Sequence, residues 1–353
     1  MGLSVGIVGL PNVGKSTLFN ALTKQKVLAA NYPFATIDPN VGVVPVADKR
    51  LKKISEIVKP ERTVPATVEF IDIAGLVRGA SEGMGLGNKF LSHIRQVDAI
   101  LHLVRVFEDE NVVHVEKSVN PIRDVELINT ELLLKDIETV VNRIENIKTR
   151  ARLDKVFNQE LDHLIQIKAK LNDGCAAREV PPTGNYEIDQ RRKSLCLLTD
   201  KPVIYVFNSS NIQYRPPDEF KHLYLVLDVK TEMELSEMNE LEKAEFMKEF
   251  QINESGLDKL TKVAYQVLGL ISFFTEGPKE VRAWTIRDGS RAIEAGSAIH
   301  TDFTKNFIAC DVCSYEDFLE AGNWVKAKEI GKVRLEGRDY IVKDGDILVF
   351  RHG

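Results

Sequence analysis

The chain lacks any apolar run near the ~20 residues that a membrane-spanning helix needs. It also lacks a charged-then-apolar leader, since its first residues run straight into strand-like sequence. Both absences point to a cytoplasmic protein with no membrane partner. Cysteine is scarce, with four in 353 residues: Cys175, Cys196, Cys310 and Cys313. Cys310-x-x-Cys313 has no second such pair and no histidine pair at ligand spacing, so a metal site has little support. In a strand, positions three apart face opposite sides, and buried thiols are the expectation there. Net positive charge is missing as well: the balance is −5. That argues against a protein that coats nucleic acid by bulk charge, and leaves room for a local basic patch. No internal repeat and no low-complexity run is visible.

What is present begins at Gly9-Leu10-Pro11-Asn12-Val13-Gly14-Lys15-Ser16-Thr17. It satisfies the phosphate-loop pattern G-x-x-x-x-G-K-[ST] and sits between a strand-like run, Val5–Val8, and a helix-like one, Leu18–Leu22. Glycines let the backbone wrap a triphosphate and aim N–H groups at it. The helix behind adds the positive end of its dipole. Lys15 is placed to reach the β- and γ-phosphates, Ser16 to ligate Mg²⁺, and Thr17 to add a backbone or hydroxyl contact. The ligand class is a nucleoside triphosphate with magnesium.

Phe70-Ile71-Asp72-Ile73-Ala74-Gly75 reads as a strand, an aspartate and a small-residue turn. Downstream of a phosphate loop, such an aspartate holds Mg²⁺, usually through water, and the Gly75 N–H senses the γ-phosphate. Between the two lies Asn31–Pro39, whose Thr36 is a candidate second Mg²⁺ ligand beside the alternative of a plain loop threonine. The glycine-dense stretch after Gly75 suits a switch. Many GTPases place a water-orienting glutamine directly after D-x-x-G; here that residue is Leu76. Help must come from another side chain, a monovalent cation or a partner. Asn12 is a candidate for holding such a cation, K⁺, beside the phosphates. His114 is a candidate polar substitute, with a solvated loop histidine as the alternative. No N-K-x-D occurs, and the corresponding strand end reads Asn208-Ser209-Ser210-Asn211. A neutral Asn211 cannot replace a carboxylate that accepts two hydrogens from guanine, so ATP becomes the better expectation than GTP.

The 353 residues predict two or three domains. Residues 1 to about 125 alternate strand and helix patterns, implying a mostly parallel sheet covered by helices. Leu133, Ile137, Val140, Ile144 and Ile147 then form a heptad seam, continued by Phe157, Leu161 and Leu164, with a helix stop at Leu171–Gly174. This predicts a two-helix hairpin inserted in the nucleotide domain, or else two ordinary packed helices. Strand character returns at Pro202–Asn208 and Tyr224–Leu227. A polar stretch, Glu232–Glu249, leads to a helix near Leu257–Leu270. The remaining residues predict a small mixed sheet packed by one helix. A hairpin is expected there between Lys332–Leu335 and Tyr340–Val342, before a strand at Ile347–Phe350.

With these residues in hand, the chain resembles the YchF family, the Obg-like ATPases. The resemblance rests on Gly9–Thr17, Asn31-Tyr32-Pro33-Phe34 with Thr36, Asp72–Ser81, Phe273–Thr285 and His300–Phe303. It implies an α/β fold: a P-loop NTPase (Ras-like) domain at 1–128 and 198–268, a coiled-coil insertion at 129–197, and a β-grasp TGS domain at 269–353. It implies Mg²⁺-dependent hydrolysis of ATP in preference to GTP. It also implies association with the ribosome, as large subunit or 70S particle, and RNA contact through the TGS domain and coiled coil. Asn12, Val13, Gly14, Lys15, Ser16 and Thr17 would contact phosphate, Ser16 and Thr36 would ligate Mg²⁺, and Asn208 and Ser209 would line the base. Two positions depart from the family pattern: Asn211 stands where glutamate is usual, and Asp228-Val229-Lys230 stands where S-A-K is usual. The readings that remain beside an ATPase are a GTPase of the Obg type and a ribosome- or RNA-binding module with a structural nucleotide.

Overall fold

Runs of apolar residues without alternation must be buried on both faces, and two such runs anchor the first sheet. The computed structural model describes residues 3–24, 40–73, 88–109, 112, 118–300 and 302–352. They form β1 (Ser4–Val8), α1 (Lys15–Lys24), β2 (Val41–Pro45), α2 (Lys49–Val58), β3 (Arg62–Val64), β4 (Thr67–Asp72), α3 (Asn88–Gln96) and β5 (Ala99–Arg105). A helical excursion follows: α4 (Pro121–Ala151), α5 (Lys155–Asn172) and α6 (Tyr186–Ser194). The chain returns through β6 (Val203–Asn208), β7 (Tyr224–Leu227), α7 (Val229–Glu237) and α8 (Glu240–Glu249). Then come α9 (Gly256–Val267), β8 (Leu270–Thr275), β9 (Glu280–Arg287), α10 (Ala292–Ile299), α11 (Asp302–Asn306) and β10 (Phe307–Cys313). Last are α12 (Tyr315–Ala321), α13 (Trp324–Glu329), β11 (Arg334–Glu336) and β12 (Ile347–His352).

Two compact units divide the chain. The first takes the N-terminal segment and Glu69–Gly256, the second Val43–Val68 and Leu257–Gly353. The first sheet runs β2-β4-β1-β5-β6-β7, with β1 parallel to both β4 and β5, and β6 parallel to β5 and β7. Every residue of β1 and β5 is buried, whereas β4 alternates as a strand with one covered face does. α4 starts eight residues before the expected hairpin boundary, because Asn120 caps it and Pro121 opens it. Its first turns belong to the sheet: Val125 packs with Val104, Tyr205 and Phe207. Farther along, Val140 and Ile147 meet Leu164, Ile167 and Leu171, with Leu133, Ile137, Ile144, Phe157 and Leu161 at the margin. That is the heptad seam. Glu160, buried on α5, accepts from Arg143 and Arg191 and ties α4 and α6 to the same helix.

The polar stretch Glu232–Glu249 is largely helical. Asp228 caps α7, and Asn239 with Glu242 forms a capping box on α8. Local caps, not apolar periodicity, specify these helices.

The second sheet runs β11-β10-β12-β8-β9-β3 and mixes orientations. Its core gathers Phe273, Ile286, Ala292, Ala295, Phe307, Cys310, Val312, Val342 and Leu348. Two expectations are corrected here, and one strand is added. The hairpin between Lys332–Leu335 and Tyr340–Val342 does not form: β11 pairs with β10, while Tyr340 O accepts from Ala292 N and Val342 N donates to Ser290 O. Burial of Val342 in the core draws that segment to the start of α10. Four short helices, α10 to α13, replace the single one. And β3, too short to register as a strand pattern, enters this sheet parallel to β9 through Arg62–Glu280, Thr63–Val281 and Val64–Arg282.

Candidate nucleotide-binding site

Parallel strands bring their C-terminal ends to one edge of a sheet, and a crevice opens where the chain's successive strands part to opposite sides. β1 lies between β4 and β5, so the segment leaving β1 is at such a point. The ends of β4 and β6, with Asp72 and Asn208, share that edge.

The loop geometry follows from its residues. A Cβ on Gly9 would stand 2.4 Å from Leu103 O, so only glycine lets the chain leave β1 this close to β5. Gly14 has φ 101°, and a Cβ there would meet Asn208 Nδ2 at 2.8 Å. Asn12 sits at φ 62°, a left-handed conformation that asparagine tolerates better than most residues. Leu18 N donates to Gly14 O at 2.9 Å and starts α1 without delay. The N–H groups ahead of that bond, and the exposed hydroxyls of Ser16 and Thr17, are left at the helix N-terminus.

Lys15 is only 9% exposed, and its ammonium donates to Leu10 O at 2.5 Å. Burial lowers its pKa to about 8, against the opposing pull of the Asp72 carboxylate. The lysine is thus folded back on its own loop, a cation with one carbonyl partner and a nearby buried acid. Asp72 ends β4, and its N–H donates to Asn40 O at 3.0 Å. An anion entering the loop would give Lys15 a stronger partner than a neutral carbonyl.

Asn208 is committed at both ends of its amide. Nδ2 donates to Val13 O at 3.0 Å, and Oδ1 accepts from Val229 N at 3.2 Å. It fastens the phosphate loop to β6 and to the start of α7. Ser209 is buried beside it and accepts from Asn211 N at 3.1 Å. Asn211 in turn accepts from Gln213 N at 3.0 Å, which occupies its carbonyl in the turn. Asp228 spends its carboxylate on Lys230 N, Thr231 N and the Thr231 hydroxyl. The structure therefore gathers Asn12–Thr17, Asp72, Asn208 and Ser209 around one strand edge. Thr36, Gly75, Leu76 and His114 lie outside the described residues.

Two residues of this edge escaped the sequence reading. Arg105, fully buried at the end of β5, donates to Phe107 O, Asp109 O and Val112 O at 3.0, 3.2 and 2.9 Å. Its guanidinium organises the segment that follows the strand, and lies 4.5 Å from the Phe107 ring centroid. The signal was an arginine closing an otherwise apolar strand. His102, also on β5, is buried against the Tyr205 ring, and burial with the nearby Lys15 charge pushes its pKa down to about 3. It is neutral at any physiological pH.

Elsewhere, Cys310 and Cys313 are buried free thiols, which burial raises to about 12 and about 11. No cluster of three His, Cys, Asp or Glu suited to a metal occurs among the described residues. None of their helices is long and apolar enough to cross a membrane.

A family model described as 50S ribosome-binding GTPase matches residues 4–143. The C-terminal model of YchF GTPases, described as a protein of unknown function, matches 270–353. The chain is 47% identical to the ribosome-binding ATPase YchF of Bacillus subtilis, over 99% of both chains. It is 44% identical to Obg-like ATPase 1 of Gallus gallus, over 99% of this chain and 92% of that one. The solved Schizosaccharomyces pombe YchF GTPase matches with a TM-score of 0.90 at 38% identity, covering 99% of this chain and 98% of that one.

Proposed function

We propose, from the premise that this chain belongs to the YchF family, that it is a cytoplasmic Mg²⁺-dependent ATPase which hydrolyses ATP to ADP and phosphate as a switch at the ribosome. The observation that carries the reading is the buried Lys15, held at a loop whose Gly9 and Gly14 admit no side chain. The names of the relatives support the ATPase and ribosome assignments.

Magnesium, when bound, would supply positive charge against the triphosphate. The donor set suits it: a hard cation that keeps waters and takes phosphate oxygens needs few protein ligands. In this reading the Ser16 hydroxyl, which is exposed, would be one, and Asp72 would hold the ion through a water. Thr36 is the second hydroxyl in this reading. Lys15 leaves Leu10 O for the phosphates, and the loop N–H groups fix their oxygens in place. In this reading the Gly75 N–H would sense the γ-phosphate. With Leu76 unable to orient water, that part would fall to His114, to a K⁺ ion that Asn12 would hold beside the phosphates, or to a partner. Hydrolysis is slow until the ribosome binds.

The test is phosphate release from ATP and from GTP, in K⁺ and in Na⁺, with and without ribosomes. ATP turnover that rises with ribosomes and K⁺ and vanishes in Lys15→Ala is expected. GTP bound tenfold more tightly than ATP would overturn the ATP assignment.

A further inference from the structure

The first unit holds a cavity of about 80 Å³ between α4, residues 174–179, residues 198–199 and β6. None of Asn12–Thr17, Asp72, Asn208 or Ser209 lines it. Tyr205, in its wall, precedes Asn208 by three residues along β6, roughly 10 Å of strand. Leu132, Leu198 and Val203 give the wall apolar surface. The Tyr205 hydroxyl, on a residue only 1% exposed, pairs with the Asn129 amide. Asn129 Nδ2 donates to it at 3.0 Å, or it donates to Asn129 Oδ1 at 3.2 Å. That single partner leaves the amide with donor and acceptor capacity to spare. Thr199, also buried, is already used by Asp136 and Ala177 N.

Three exposed titratable side chains meet at this cavity: Arg178, Glu179 and His222. Arg178 Nη1 donates to Thr199 O and Lys201 O at 3.0 and 3.1 Å, which fixes the guanidinium. Its Nε and Nη2 have no partner among the described residues. Glu179 Oε1 accepts from Ala176 N at 3.2 Å, and Oε2 is left over. Neither residue forms an ion pair with any described residue. The His222 ring lies 5.3 Å from the Tyr205 ring. Partial burial and the Arg178 charge lower its pKa, against the pull of Glu179, so the ring is neutral at pH 7.

A fixed cation and a fixed carboxylate, each with an open edge, suit a ligand that carries both charges. A simple anion would be repelled by Glu179, and a simple cation by Arg178. The arginine fork matches a carboxylate. On the measure by which a cavity of about 150 Å³ holds a benzene ring, this one holds roughly three heavy atoms. An apolar wall with a polar amide–hydroxyl pair suits a methyl group beside a hydroxyl. We infer that this cavity binds a free α-amino acid with a short hydroxylated side chain. Its carboxylate meets Arg178, its ammonium Glu179, and its hydroxyl the Asn129–Tyr205 pair.

The experiment is equilibrium dialysis of the full chain against labelled L-threonine, up to about 20 mM. Competitors are 3-hydroxybutyrate, which lacks the amine, 1-amino-2-propanol, which lacks the carboxylate, and L-valine, which lacks the hydroxyl. Each is expected to bind at least tenfold more weakly than threonine, because each leaves a polar group of the site without its partner. Arg178→Lys keeps the charge and loses the fork, and should cost at least tenfold in affinity. Glu179→Gln keeps an acceptor for Ala176 N and should cost about fivefold or more. Glu219→Gln, exposed and outside the cavity, should change affinity by less than twofold. Thermal unfolding establishes that each variant is folded; if either is not, the three competitors on the wild-type chain decide. Absence of threonine binding overturns the inference. So does wild-type affinity in a folded Arg178→Lys or Glu179→Gln. 3-Hydroxybutyrate binding as tightly as threonine would make this an anion site and overturn the amino-acid assignment. Valine binding equally well would overturn the role of the Asn129–Tyr205 pair.

Discussion

Lys15 makes nucleotide binding sensitive to pH in a range where most lysines are silent. Its free-state pKa is about 8, and bound phosphates favour the charged form. Binding should take up a proton near pH 8 to 9, and the dissociation constant for Mg²⁺–ATP should rise about tenfold per pH unit above 8 until the bound-state pKa is passed. Calorimetry in buffers of different ionisation enthalpy checks both. His102 acts on stability with the opposite pH trend. Its folded pKa, about 3, lies below the ordinary 6.5. The unfolded chain therefore binds the extra proton first as pH falls, and stability is lost below pH 6.5, by about 1.4 kcal/mol per unit down to the folded value. His102→Leu should flatten the urea midpoint between pH 6.5 and 4. At Gly14 the φ of 101° and the Asn208 amide 2.8 Å from a would-be Cβ forbid alanine. Gly14→Ala should cost about 1–3 kcal/mol of stability and abolish measurable ATP binding. The loop glycines and Lys15 were legible because a spacing pattern encodes them. Arg105 and His102 were not, since no pattern marks a polar side chain whose role is set by what folds over it.

Elements differ in how openly they announce themselves. The hairpin seam is periodic, so Val140, Ile147 and Leu164 could be placed from spacing alone. The packing of that hairpin on its surroundings could not, because it depends on single polar residues. Asp136 on α4 accepts from Leu198 N, Thr199 N and the Thr199 hydroxyl at 2.8, 2.7 and 2.6 Å, and all of them are buried. Asp136→Ala would leave three donors without a partner and should cost about 3 kcal/mol or more in urea unfolding. α3 is bound into the same region. Arg95 donates to Thr139 Oγ1 at 2.8 Å and to Leu195 O at 3.1 Å, and Lys201 donates to the carbonyls of Arg95 and Val97. The helix that follows the Asp72–Ser81 segment is thereby attached to the root of the hairpin. β3 was missed for the reason short strands generally are: three residues carry too little alternation, and its partner lies far off in sequence.

For the whole molecule, the parallel strands followed from the alternation of patterns along the chain, whereas the allocation of 43–68 did not. That allocation depends on pairing between Arg62–Val64 and Glu280–Arg282, which no local window contains. Two units with separate cores should unfold as separable transitions. Mg²⁺–ATP at a hundredfold its dissociation constant should raise only the one containing Lys15, by about 2.7 kcal/mol, read by differential scanning calorimetry. If both transitions move together, the units unfold as one. The interleaving has a consequence during synthesis. β3 leaves the ribosome early, but its sheet partner β9 is encoded some two hundred residues later. At 5–20 residues per second it waits roughly 10–40 s without that partner. The amphipathic α2 and the charged Arg62 at that edge are what the nascent chain has to keep it from pairing with a neighbour on the same message.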